Sequence, residues 1–239
     1  MRTKLFNLEI DTLSFSDAIE FAMDLIEQQK VSQVVTINPE MFETANHNIN
    51  FRKIVDEAEL IIPDGVGVKI ALRINGINVD RIPGIDFAHE LLIKSAKNNY
   101  PVAIIGAKEE VLSKAVDKLK KEIKDLNIVY SHNGYFDNDN EILNELASKS
   151  PKLVLIAMGS PRQEEFIYKA KSTLSSGLFI GIGGSLDVWS GNLKRAPKII
   201  QKLGLEWLYR TLSQPSRFKR IFPTLPLFII KAIKYKFTK

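Results

Sequence analysis

The chain has no cysteine. Disulfides and thiolate metal sites are therefore excluded, and the composition suits a reducing cytoplasm. Histidine is scarce too. His47, His89 and His132 lie far apart without ligand spacing, so no zinc site is expected. No window holds the roughly 18 apolar residues that a membrane-spanning helix requires. The opening MRTKLFNLEIDTLSF lacks an apolar core of signal-peptide length. GxGxxG, GxxxxGKS/T and GxSxG are all missing, which weakens dinucleotide-dependent dehydrogenase, P-loop ATPase and serine hydrolase readings. Internal repeats and low-complexity segments are absent as well.

What is present fits a globular protein. The chain has 239 residues, of which 45% are apolar and 26% charged, enough to bury a sizeable core. Its net charge of +5 is unevenly placed. Residues 205–239 carry Arg210, Arg217, Lys219, Arg220, Lys231, Lys234, Lys236 and Lys239 against Glu206 alone, a net +7, so the rest sums to −2. A basic tail on a slightly acidic body points to an anionic partner: a lipid surface, a phosphate-bearing substrate or nucleic acid. No nucleic-acid recognition motif accompanies it.

Short apolar runs alternate with amphipathic stretches. Strands are predicted at Leu5 to Ile10, Gln33 to Ile37, Leu60 to Ile62, Val102 to Gly106, Ile128 to Tyr130, Leu153 to Met158 and Leu178 to Ile182. Helices are predicted between them, the first capped by Ser14. Near-continuous apolar strands of this kind imply an α/β fold, with a mostly parallel sheet covered by helices on both faces. The text changes near residue 195. A catalytic domain over 1–195 and a basic helical appendage over 196–239 are expected, with a short helix at Leu203 to Tyr209.

In such sheets ligands bind beyond the carboxyl ends of the strands. The residues delivered there are Thr36 and Asn38, Asp64, Gly106-Ala107-Lys108, Gly159 to Glu164, and Gly183-Gly184-Ser185-Leu186-Asp187. The last group lies in LFIGIGGSLDVWSGNLKRAP (Leu178 to Pro197), an apolar strand that opens into glycines and a polar loop. That pattern serves either a phosphate cradle or a plain strand-to-helix turn. Asp64 is a general base or a helix N-cap. Thr36 and Asn38 bond a sugar, or Asn38 makes an Asx turn before Pro39. Arg81 pairs with a phosphate or is a solvated loop charge. Asp137-Asn138-Asp139 has the DxD form of metal-dependent glycosyltransferases, yet it stands just before a helix, where a cap is the simpler account. Over Leu225 to Phe237 apolar residues interleave with lysines. An interfacial membrane helix, a helix docked on the body and a dimer interface are the three readings.

Several ordered stretches together resemble the WecG/TagA/CpsF family of bacterial glycosyltransferases. They are Thr36-Ile37-Asn38-Pro39, Pro63-Asp64-Gly65-Val66-Gly67, Arg81 to Asp86, Gly134-Tyr135-Phe136, Gly159 to Glu164, and Gly181 to Asp187. The likeness continues through Gly191, Arg195-Ala196-Pro197, Gly204 to Trp207, Arg210, Pro215 and Arg217 to Arg220, and spans about residues 5–222. It implies a Rossmann-like fold and an inverting, metal-independent enzyme without a cofactor, at the inner face of the bacterial cell membrane. The expected partners are a UDP-sugar donor, a polyprenyl-diphosphate-linked sugar acceptor and the membrane surface. The family's best-known reaction transfers N-acetylmannosamine to undecaprenyl-diphosphate-N-acetylglucosamine in wall teichoic acid synthesis. Relatives transfer N-acetylmannosaminuronic acid or glucose. A nucleotide-cofactor oxidoreductase and a membrane-surface binding module are the rival readings.

Joined with the strand-end residues, the resemblance assigns expected roles. Asp64 deprotonates the acceptor hydroxyl, with Thr36 and Asn38 beside it. Gln163 and the Gly159 turn line the donor site. Gly183, Gly184 and Asp187 approach the nucleotide. Arg81, Arg210, Arg217 and Arg220 offset the diphosphate charge, and Lys194 to Pro197 forms a hinge into the appendage.

Overall fold

The computed structural model describes residues 2–202, 204–213 and 218–238. A six-stranded, all-parallel sheet forms its centre, in the order β4-β3-β8-β7-β5-β6. The strands are β3 (Val31–Ile37), β4 (Leu60–Pro63), β5 (Val102–Gly106), β6 (Ile128–His132), β7 (Leu153–Ala157) and β8 (Gly177–Gly181). This is the expected α/β architecture.

Side-chain alternation explains why both faces are covered. Val102, Ile104, Leu153, Leu155, Leu178 and Ile180 point to one face. There they meet α1 (Phe15–Glu27), α5 (Gly84–Lys97) and α6 (Glu109–Glu122). Ala103, Ile105, Val154, Ile156 and Phe179 point to the other, against α7 (Asp139–Lys149) and α8 (Arg162–Thr173). Each fully buried aliphatic side chain contributes about 1.5–3 kcal/mol. Ser14 caps α1 as expected, accepting from the Asp17 amide at 3.2 Å.

The first segment departs from the sequence reading. It is an antiparallel hairpin, β1 (Arg2–Leu5) and β2 (Leu8–Asp11), instead of one strand over Leu5 to Ile10. The chain turns at Phe6, whose φ is 54°. A two-residue hairpin turn requires positive φ, which Gly or Asn usually supplies. Here the Phe6 ring packs against Phe42, Phe228 and Tyr235, and those contacts hold the turn.

The C-terminal segment also differs. After α9 (Ser185–Trp189) come α10 (Lys198–Lys202) and α11 (Glu206–Ser213), so the helix with Trp207 begins at Glu206, not at Leu203. The break expected at Gln214-Pro215-Ser216 lies outside the described residues. Helix α12 (Phe218–Thr238) lies against α2 (Pro39–His47) and α4 (Val66–Ile74). Its Phe228 and Ala232 are fully buried in one core with Phe42, Phe51 and Leu72, beside α3 (Ile49–Asp56). The tail helix thus docks on the body, one of the three arrangements its sequence allowed. Among the described residues, no helix is long and apolar enough to cross a membrane.

Candidate active site

Four neighbouring strands, β4, β3, β8 and β7, deliver their carboxyl ends to one side of the sheet, and a cavity of about 520 Å³ opens there. Its walls include Thr36, Asn38, Asp64, Arg81, Gly159, Gln163, Gly183 and Gly184. Eight of the expected residues therefore meet in one place. Asp187 sits on α9 and is not among the lining residues. Arg217 lies outside the described residues, as do the side chains of Arg210 and Arg220.

Asp64 follows β4 and is half-buried. It is not the N-cap of α4. Gly65 takes that position with φ 83°, where a side-chain-bearing residue would be strained. The Asp64 Oδ1 atom accepts from the Gly65 amide at 2.7 Å, a bond that fixes the carboxylate at the cavity wall. Asn38 caps α2, accepting from the Met41 amide at 3.1 Å, with Pro39 at the first helical turn. Its capping bond and its place on the wall coexist. Thr36 Oγ1 donates to the Gly181 carbonyl at 3.4 Å and so bridges β3 to β8. A Cβ on Gly84 would come within 3.1 Å of the Thr36 side chain, so a larger residue at the start of α5 would push Thr36 by a few tenths of an ångström.

The glycine turns carry a second message. Gly159 and Gly183 have φ of 78° and 48°, and a Cβ on either would meet nothing within 4 Å. Both turns open onto free space on the cavity side, as close backbone approach to a ligand requires. Gln163 braces the second turn. It is 4% exposed, and its Oε1 accepts from the Gly183 amide at 3.1 Å.

Arg81 is not a solvated loop charge. Its Nη2 lies 3.4 Å from Glu206 Oε2, and its side chain is 16% exposed. Glu206 also meets Arg195 Nε at 3.6 Å, and Arg195 makes paired bonds of 2.5 and 2.6 Å to Asp86 on α5. Arg195 therefore ties α5 to α11. Sequence reasoning gave Glu206 and Asp86 no role at the site, because the Arg81–Glu206 and Arg195–Asp86 pairs join residues more than 100 positions apart. Among the described residues the cavity wall carries Glu40, Glu43, Asp64 and Glu206 against Arg81, an acidic balance.

The Asp137-Asn138-Asp139 triplet serves the start of α7. Asn138 Oδ1 accepts from the Asn140 amide, and Asp139 pairs with Lys169 on α8. Beside the main cavity a smaller groove of about 130 Å³ is lined by Pro39, Val66, Gly67, Trp207 and Leu225. It shares Asn38, Glu40, Gly65, Trp207 and Thr224 with the cavity wall.

Comparison with known proteins supplies the family. The profile of the Glycosyl transferase WecG/TagA/CpsF family matches residues 3–239. The chain is also similar to the N-acetylglucosaminyldiphosphoundecaprenol N-acetyl-beta-D-mannosaminyltransferase of Bacillus spizizenii. The two are 31% identical over 241 residues, which cover 99% of this chain and 93% of the relative. A whole-chain match of this kind, on a sheet whose edge gathers the motif residues, means that the chain belongs to the WecG/TagA/CpsF family of glycosyltransferases.

Proposed function

We propose that this glycosyltransferase moves N-acetylmannosamine from UDP-N-acetylmannosamine to the 4-hydroxyl of undecaprenyl-diphosphate-N-acetylglucosamine, with inversion and without a metal. The observation that carries the reading is the gathering of Asp64, Thr36, Arg81, Gln163 and Gly183 around one cavity. Asp64 takes the proton of the acceptor hydroxyl as that oxygen attacks the anomeric carbon in line with departing UDP. The Gly159 and Gly183 turns lie close to the donor, and Asp187, outside the cavity lining but with Oδ2 3.6 Å from where a Cβ on Gly184 would lie, reaches for its ribose from behind that turn.

Charge balance supports a role for the tail. A leaving diphosphate needs cations, and the described wall is net acidic. Arg81 together with Arg210, Arg217 and Arg220 supplies the positive charge. The apolar groove beside Asn38 and Gly65 takes the first units of the acceptor's polyprenyl chain. Leu227, Ile230, Ile233 and Phe237 are exposed on α12, interleaved with lysines, a pattern that fits contact with anionic lipid. The reading places the enzyme at the inner face of the cell membrane.

The test is a donor screen by thermal shift, followed by transfer to a short-chain lipid-diphosphate-N-acetylglucosamine. The expected result is stabilisation by UDP-N-acetylmannosamine and formation of a disaccharide-lipid. Stabilisation by a nicotinamide dinucleotide, with no response to UDP-sugars, would refute the reading.

A further inference from the structure

The first turn of α8 holds a buried acid that no role above uses. Glu164 is 2% exposed, and its Oε1 accepts from Gln163 Nε2 at 2.7 Å. Its other oxygen, Oε2, is buried without a hydrogen bond of good geometry. Two effects compete on this carboxyl. The N-terminal end of a helix favours the ionised form, while burial favours the neutral acid. Burial prevails, and the pKa is pushed up to about 7, with the Gln163 amide and the Ser160 hydroxyl opposing the rise.

We propose that Glu164 is a positioning residue of the donor site, acting through Gln163 to hold the Gly183 turn in the form that receives the donor. Three observations support it. Gln163 is bonded at both ends of its amide, to Glu164 and to the Gly183 amide. A flipped amide would set donor against donor at Gly183, so the pair selects one orientation. The strand beneath leaves room for nothing else, because a Cβ on Gly181 would lie 2.3 Å from Gln163 Nε2 and 2.9 Å from Glu164 Oε1. Glycine at 181 makes space for a side-chain pair, in a β8 whose φ there is ordinary. The acid also suits the ligand: below about pH 7 the carboxyl is mostly neutral and fixes Gln163 without adding negative charge beside a diphosphate.

The charges near Glu164 are few. β3 and β8, which pack on α8, carry no titratable side chain. From α3, Lys53 lies over Tyr168, and from α7, Asp139 pairs with Lys169. On α8 itself Glu165 adds to the rise, while Arg162 donates to the Phe136 carbonyl.

The proposal rests on the donor reading, and its test separates the two. In full-length protein without ligand, the Gly183 backbone amide resonance is expected to titrate near pH 7, and to stop doing so in E164Q. For activity, E164M keeps the volume and removes the acceptor. Losing one buried hydrogen bond raises the donor KM about tenfold with little change in kcat. E164Q keeps the acceptor and restores KM to within about threefold of the parent. A Gly183 amide that titrates identically in the parent and E164Q overturns the relay, and an E164M KM equal to the parent's overturns the link to the donor. A parent that neither binds nor turns over a UDP-sugar sinks the donor reading and this link with it, while the amide titration still decides the relay.

Discussion

Two carboxyl groups near the cavity live in opposite surroundings. Asp64 is half-buried at the wall and accepts from a backbone amide. Glu164 is sealed beneath the Gly183 turn. The second has a consequence for stability. Its pKa is raised from 4.5 to about 7, so its contribution is fully present below the unfolded value. That contribution is lost as pH rises through 7. E164Q does not ionise and should gain about 2 kcal/mol on the parent between pH 5.5 and 8. Denaturant unfolding of both proteins at the two pH values checks this, and a constant difference between them would show that Glu164 titrates normally. At this scale the sequence was most legible where a residue follows a strand. Asp64, Thr36 and Gly183 were visible because apolar runs place them at the sheet edge. The Arg81–Glu206–Arg195–Asp86 cluster was not, since nothing local in the chain signals the Arg81–Glu206 and Arg195–Asp86 pairs, each more than 100 positions apart.

Among the elements, α12 stands out for its two unlike faces. Phe228 and Ala232 enter a core shared with α2 and α4, while Leu227, Ile230, Ile233 and Phe237 stay exposed. Phe228→Ala should cost about 3–5 kcal/mol, the range for a buried aromatic cut to alanine. Equilibrium unfolding would read it, and a loss under about 1 kcal/mol would mean that α12 docks only loosely. The strands and most helices were legible from periodicity alone. The hairpin was not, because Phe6 holds its positive φ through ring contacts with Phe42, Phe228 and Tyr235, one from α2 and two from α12. Nor was the start of α11, where Gly204 and Leu205 read as helix in the apolar pattern and Glu206 begins it.

For the whole molecule, charge is divided between an acidic body and a basic tail. Lys234 and Lys236 are exposed on α12. Each cation near an anionic surface is worth about 1 kcal/mol. Reversing both in K234E/K236E should weaken binding to phosphatidylglycerol vesicles by at least about tenfold. Cosedimentation measures it, and equal binding by the double variant would remove the lipid-surface role of the tail. Fold class was readable from the βα alternation, because a strand buried on both faces leaves an unbroken apolar run. The docking of the tail was not, because its apolar residues suit lipid, a partner and the body equally well.

Asp64, the proposed base for the acceptor proton, stands at a cavity built by four strand ends. The most direct test of that role is single-turnover transfer by Asp64→Asn, with donor binding measured on the same protein. With Asp64 as the base, transfer slows by about 10²–10⁴-fold while donor affinity is retained. Transfer at the parent's rate would contradict it and leave Asp64 a structural residue of the β4–α4 turn.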